Sequence, residues 1–162
     1  MQILILGGGI AGLCLAKALE QRGIPADLVE RHSGQPAGGA GLYLPGNAAR
    51  ALKQLGLLAD VTAKTAPIET QRIVDSRGKP LNTVRTQDVW RECGPCLSLP
   101  RNVLHARLQA ALIRTNVSLG KAVDNIRQSP AGCEVAVWLL PLTMSGMTGC
   151  WPRWRGGLMT PT

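Results

Sequence analysis

The chain opens on four consecutive apolar residues, Ile3-Leu4-Ile5-Leu6, followed by the glycine-rich run Gly7-Gly8-Gly9-Ile10-Ala11-Gly12. Leu13, Ala16 and Leu19 then recur at helical spacing, with the small residues Ala11, Cys14 and Ala18 beside them, which predicts a helix to about Arg22. Gly23 sits where a helix closes, and Pro25 prevents its continuation. A second apolar stretch, Ala26-Asp27-Leu28-Val29, reads as a strand and ends in Glu30. The order of parts is strand, glycine turn, helix, strand.

Beyond this unit the periodicity changes several times. Residues 31–44 are glycine-rich, closing on Ala40-Gly41-Leu42-Tyr43-Leu44. Asn47 offers an N-cap to a helix with Ala48, Ala51, Leu52 and Leu55 as its apolar positions, stopped by Gly56, and a short helical piece follows over 57–63. Residues 68–76 and 81–85 flank Ser76-Arg77-Gly78-Lys79, a turn chemistry that predicts a hairpin. From Arg101 a further helix is expected, with Leu104, Leu108, Ala111 and Leu112 as its buried stripe. A strand over 117–120 and a hairpin of 123–127 with 133–137 complete the periodic part. After Val137 neither period persists. Residues 138–162 hold three of the four tryptophans, three of the four methionines and no acidic residue, and are expected to be irregular.

Composition narrows the class. The 162 residues are 45% hydrophobic, enough for the core of one domain, but with no Phe and a single tyrosine the core must be aliphatic. Eighteen Lys and Arg against ten Asp and Glu leave a net charge of +8. These basic residues are scattered and accompany no nucleic-acid motif, so no nucleic-acid partner is expected. No apolar run is long enough to span a bilayer, and the start reads as mature sequence and not as a signal peptide. Five cysteines (Cys14, Cys93, Cys96, Cys133 and Cys150) without framework spacing fit a reducing, cytoplasmic location.

The opening unit carries the chemistry. A strand, a Gly-x-Gly-x-x-Gly turn, a helix and an acidic residue eighteen positions after the last glycine form a dinucleotide-binding fingerprint in its full context. Gly7 permits a tight turn, Gly9 lets a pyrophosphate approach the backbone, and Gly12 lets the helix lie close on the sheet. The first helical turn, with Ile10 and Ala11, presents N–H groups and a partial positive charge to phosphates. Glu30 is placed to accept hydrogen bonds from a ribose hydroxyl pair, and Arg31 is placed toward the adenosine phosphate end. His32 reads as a solvated loop residue. Cys93-Gly94-Pro95-Cys96 has the spacing of a redox motif, but Leu97-Ser98-Leu99-Pro100 follows it and does not open a helix, so it reads as a turn into a strand.

The run from Gly7 through Leu13, Ala16 and Leu19 to Gly23 and Glu30 resembles the FAD fingerprint of the single-component aromatic hydroxylases, flavoprotein monooxygenases that include p-hydroxybenzoate and salicylate hydroxylases. Gly39-Ala40-Gly41-Leu42, Leu44-Pro45-Gly46-Asn47-Ala48 and Pro100-Arg101-x-x-Leu104-x-x-x-Leu108 are similar to later segments of that family. The resemblance covers residues 2 to about 137. It implies an α/β fold with a Rossmann-like βαβ unit and a parallel sheet, and the start of a smaller β-rich substrate region. It implies FAD as cofactor, NADH or NADPH as electron donor, and insertion of one oxygen atom into a small, aromatic substrate; the alternatives are another FAD- or NAD-binding Rossmann oxidoreductase and a non-catalytic dinucleotide-binding fragment. It assigns Gly7, Gly9 and Gly12 to the pyrophosphate, Glu30 to the adenosine ribose and Arg101 to the flavin side, with Arg31, Gly41 and Leu42 as further contacts.

The chain also departs from the family. The Asp-Gly turn, the Gly-Ala-Asp-Gly segment and the later Gly-Asp motif do not follow Val137, so the chain is expected to be an incomplete and inactive domain over 1–137, with a non-family tail over 138–162 from truncation or a frameshift. In the family the first strand has a parallel neighbour on each side, so Ile3–Leu6 is expected to be an apolar edge that promotes self-association. Sedimentation of the purified chain as a monodisperse monomer would contradict that expectation.

Overall fold

The computed structural model describes residues 3–34, 40–130, 132–139 and 153–155. In chain order the elements are β1 (Ile3–Leu6), α1 (Ile10–Gln21), β2 (Ala26–Glu30), β3 (Gly41–Leu44), α2 (Gly46–Gln54) and α3 (Leu58–Thr62). They continue as β4 (Ala66–Pro67), β5 (Thr70–Val74), β6 (Pro80–Arg85), α4 (Thr86–Val89), β7 (Leu97–Pro100) and α5 (Arg101–Ala110). The last are β8 (Asn116–Leu119), β9 (Lys121–Ser129), β10 (Gly132–Leu139) and β11 (Arg153–Arg155). Two compact units result: residues 1–37 with 112–162, and residues 38–111.

The first unit is built on a parallel sheet. β2 lies between β1 and β8 and runs parallel to both, with Ile5 beside Leu28 and Leu28 beside Val117. α1 is the crossover from β1 to β2, as the two helix-strand periods require. Leu13 and Ala16 are buried on it, and Ile5, Leu28 and Val29 on the strands. Leu19, expected on the buried face, is half-buried, and Glu20 is buried in its place. The helix ends in a Schellman arrangement: Gly23 N–H donates to Glu20 O and Ile24 N–H to Leu19 O, both at 3.0 Å, with Gly23 at φ +69°.

The β9–β10 hairpin packs onto the same unit, burying Val135 and Val137 with Leu4 and Val123 against them. Residues 138–162 are not wholly irregular. β10 runs to Leu139, and β11 pairs antiparallel with it, Trp154 beside Val135, so the free edge of β10 is taken by a strand that the local pattern does not announce. Residues 140–152 and 156–162, where the rest of the expected tail falls, lie outside the described residues. Among the described residues β1 is paired on its β2 side.

The second unit joins the antiparallel sheet β3-β7-β4, the hairpin β5-β6 and helices α2, α3 and α5. Ala49, Leu52, Leu57, Val61, Leu97, Leu99, Leu104 and Leu108 form its core, aliphatic as composition requires. α2 begins two residues earlier than expected. Pro45, not Asn47, is its N-cap, and the buried face is Gly46, Ala49 and Leu52, while Ala51 is exposed. Gly46 opens the helix because a Cβ there would press on Trp90 Cβ and the carbonyl of Gly94. α5 buries Leu104, His105 and Leu108 and stops at Ala110, so Ala111 and Leu112 fall beyond it and are half-buried. Cys96 is buried and leads straight into β7, with its Sγ 3.4 Å from the Tyr43 hydroxyl, so Cys93–Cys96 is a turn into a strand as read.

Candidate dinucleotide site

The glycine turn follows the carboxyl end of β1, where ligands of parallel α/β sheets bind. Gly7 adopts φ +103°, a conformation closed to most side chains, and its N–H donates to Val29 O at 2.8 Å, tying the turn to β2. A Cβ on Gly12 would overlap the Gly7 carbonyl oxygen and lie 3.3 Å from Ile5 Cγ2. Gly12 is therefore the point at which α1 closes onto the turn and β1. A Cβ on Gly9 or Gly7 would meet nothing within 4 Å. Open space lies in front of both, where a side chain would otherwise stand.

Gly9 is the N-cap of α1, and no side chain caps the helix. The first-turn N–H groups of Ile10, Ala11 and Gly12 thus point out of the helix end together with its partial positive charge, with no side-chain cap among the described residues. Open glycine backbone beside an uncapped helix start fits a pyrophosphate.

Glu30 ends β2, and its carboxylate turns back to this turn. Gly8 N–H donates to Oε2 at 2.7 Å, and His32 N–H donates to Oε1 at 2.9 Å. The His32 ring reaches Oε1 as well, with Nδ1 at 2.7 Å, so the carboxylate requires the proton on Nδ1. Burial pushes the Glu30 carboxyl up, but the N–H groups of His32 and Gly8 and the imidazole outweigh it and hold it below the ordinary carboxylate value. Glu30 is therefore an ionised acceptor beside the glycine turn. Arg31 stands exposed just beyond β2.

Two residues of this cluster escaped the sequence reading. Gly8 counted only as a variable position between two glycines, yet a Cβ there would lie 3.0 Å from Glu30 Cβ. The third glycine in a row is its one sequence signal. His32, read as solvated, is 69% exposed at its side chain and is nevertheless bound to Glu30.

Gly41, Leu42 and Arg101 belong to the second unit, far apart in sequence and together in the sheet. In the β3–β7 ladder Gly41 lies beside Pro100 and Leu42 beside Leu99, and Arg101 N–H donates to Ala40 O at 3.4 Å. Arg101 is exposed at the first position of α5, right after its N-cap Pro100, at the strand-to-helix junction as read. The two family-like segments thus form one structural corner.

Comparison with known proteins gives the family. The model of the family described as FAD binding domain matches residues 1–132. The chain is 32% identical over 136 residues to an aurachin C monooxygenase/isomerase of Stigmatella aurantiaca, covering 83% of this chain and 36% of that protein. It is 33% identical over 135 residues to a 3-amino-4-hydroxybenzoate 2-monooxygenase of Streptomyces cremeus, covering 80% of this chain and 34% of that protein. In structure it resembles the p-nitrophenol 4-monooxygenase PnpA of Pseudomonas putida DLL-E4, with a TM-score of 0.75 at 19% identity, over 84% of this chain and 36% of the other. The chain spans about a third of the length of these relatives. It belongs to the family described as FAD binding domain, and its relatives include proteins named FAD-dependent monooxygenases.

Proposed function

We propose that the chain holds the ADP half of FAD for an NAD(P)H-dependent monooxygenase acting on small aromatic substrates in the cytoplasm. The observation that carries this reading is the open, uncapped turn of Gly7, Gly9 and Gly12 with the ionised Glu30 carboxylate beside it. The pyrophosphate takes the N–H groups of the first turn of α1, and the adenosine ribose takes Glu30. Arg31 lies toward the adenosine phosphate, and Gly41, Leu42 and Arg101 serve the flavin side. When bound, FAD supplies the redox chemistry, and the chain supplies position and polarity.

Aromatic substrates are supported by the Streptomyces cremeus relative, a 3-amino-4-hydroxybenzoate 2-monooxygenase. Reading 1–137 as the FAD-binding part is supported by the end of the family match at residue 132. Self-association is supported by the single-sided pairing of β1 among the described residues. No helix among the described residues is long and apolar enough to cross a membrane.

The purified chain is expected to show a flavin visible spectrum after incubation with FAD and desalting. NADH and NADPH oxidation, with and without simple phenols, then tests turnover. We expect none beyond free FAD, because the chain spans only about a third of its relatives. A chain that keeps no flavin would overturn the reading.

A further inference from the structure

The hydrogen bonds at Glu30 allow a count of its remaining capacity. An ionised carboxylate offers about four acceptor positions, two on each oxygen. On Oε1 the backbone N–H and the ring Nδ1 of His32 take both, and on Oε2 the N–H of Gly8 takes one. Among the described residues one unshared position is left, and a further donor on Oε1 would have to share that oxygen, as Ile113, Arg114 and Thr115 share Oε1 of Glu20. A ribose with adjacent hydroxyls donating to this carboxylate needs two.

The three donors differ in how readily they leave. The Gly8 N–H is fixed by the turn, and Gly8 lies against Glu30. The His32 backbone belongs to the chain leaving β2, where Gly120 N–H donates to His32 O at 3.3 Å. The imidazole is 69% exposed and turns on side-chain torsions alone. It is the donor whose departure costs least, because a solvent-exposed charge-assisted contact contributes little stability.

We propose that the His32 side chain competes with the adenosine ribose for Glu30 and swings away when a nucleotide with both ribose hydroxyls binds. His32 thereby acts as a positioning residue that discriminates a ribose diol from a deoxyribose. A single hydroxyl fits the free position and leaves the ring in place, whereas a diol competes with the ring for Oε1, where sharing weakens each bond. The inference rests on the reading of Glu30 as the ribose acceptor.

The test compares wild-type chain with His32→Ala, using FAD fluorescence to measure FAD affinity and displacement by ADP or 2′-deoxy-ADP. The exposed side chain makes a folding defect unexpected, and an unchanged urea midpoint checks this. His32→Ala is expected to bind FAD and ADP about two- to fivefold tighter, the worth of an exposed hydrogen bond to a carboxylate. Its affinity for 2′-deoxy-ADP is expected to stay unchanged. Weaker FAD binding by His32→Ala would make His32 an orienting partner of Glu30 and overturn the competition. So would equal affinities, or an equal gain for ADP and 2′-deoxy-ADP. If wild-type chain binds no FAD, the ribose reading itself falls with the inference; if FAD binds but the two affinities agree, only the inference falls.

Discussion

Gly12→Ala is expected to abolish FAD binding at concentrations that saturate the wild-type chain. The added Cβ would overlap the carbonyl oxygen of Gly7, a backbone atom that no rotamer change can move. Relief requires shifting either the start of α1 or the Gly7–Gly8 turn, and the proposed function places the pyrophosphate at both. Gly7 is anchored by its 2.8 Å bond to Val29 O, so the displacement falls on the helix start or breaks that bond. Overpacking of this kind costs about 1–3 kcal/mol of stability, and the same shift spoils the alignment of the first-turn N–H groups. Gly9→Ala makes the contrast, since its Cβ meets no protein atom within 4 Å. That variant is expected to keep the wild-type urea midpoint and lose FAD affinity, because the methyl group stands in the open space the pyrophosphate needs. Fluorescence titration and urea denaturation on both variants separate the two effects.

Glu20→Ala is expected to destabilise the chain by about 3 kcal/mol at neutral pH without touching the glycine turn. Glu20 is 9% exposed, on the buried face of α1, and gathers the backbone approaching β8. Its Oε1 accepts from Ile113 N at 3.0 Å, Arg114 N at 2.7 Å, Thr115 N at 2.7 Å and Thr115 Oγ1 at 2.9 Å. Lys17 Nζ lies 3.7 Å from Oε2. Alanine would remove the acceptor these donors share. Burial pushes the Glu20 carboxyl up, but the Arg114, Thr115 and Ile113 donors outweigh it and hold it below the ordinary value of 4.5. A carboxyl that titrates lower in the folded than in the unfolded chain contributes its full stabilisation above the unfolded value. That contribution is lost as pH falls through the folded one. The gap in urea midpoint between wild type and Glu20→Ala is therefore expected to be widest at neutral pH and to narrow below pH 4.5. A constant gap across that range would mean that Glu20 acts by packing alone.

What could be read from the sequence was what neighbouring residues decide among themselves. Gly7 through Glu30 was legible because the turn, the helix and its Gly23 cap all follow from local geometry and spacing. Glu20 was not, because its partners lie 93 to 95 positions away and a lone glutamate in a helix looks like a solvated one. The joining of Gly41 and Leu42 to Arg101 likewise depends on the β3–β7 register, which neither strand encodes alone. Asn47 drew attention as a cap by residue type, yet its Oδ1 accepts only the adjacent Ala48 N–H, and the chain had already turned into α2 at Pro45. His32 is solvated as its loop position suggests, and its bond to Glu30 depends on a carboxylate two residues earlier that lies within its reach. β11 was missed because its pairing depends on the free edge of β10 and on no pattern within 153–155.

The central claim is that the glycine turn and Glu30 grip the ADP half of FAD. Displacement of FAD by its two halves, each offered separately to the purified chain, tests it most directly. ADP is expected to displace FAD in proportion to its concentration, while FMN at the same concentration leaves FAD bound. Displacement by FMN with no displacement by ADP would contradict the claim.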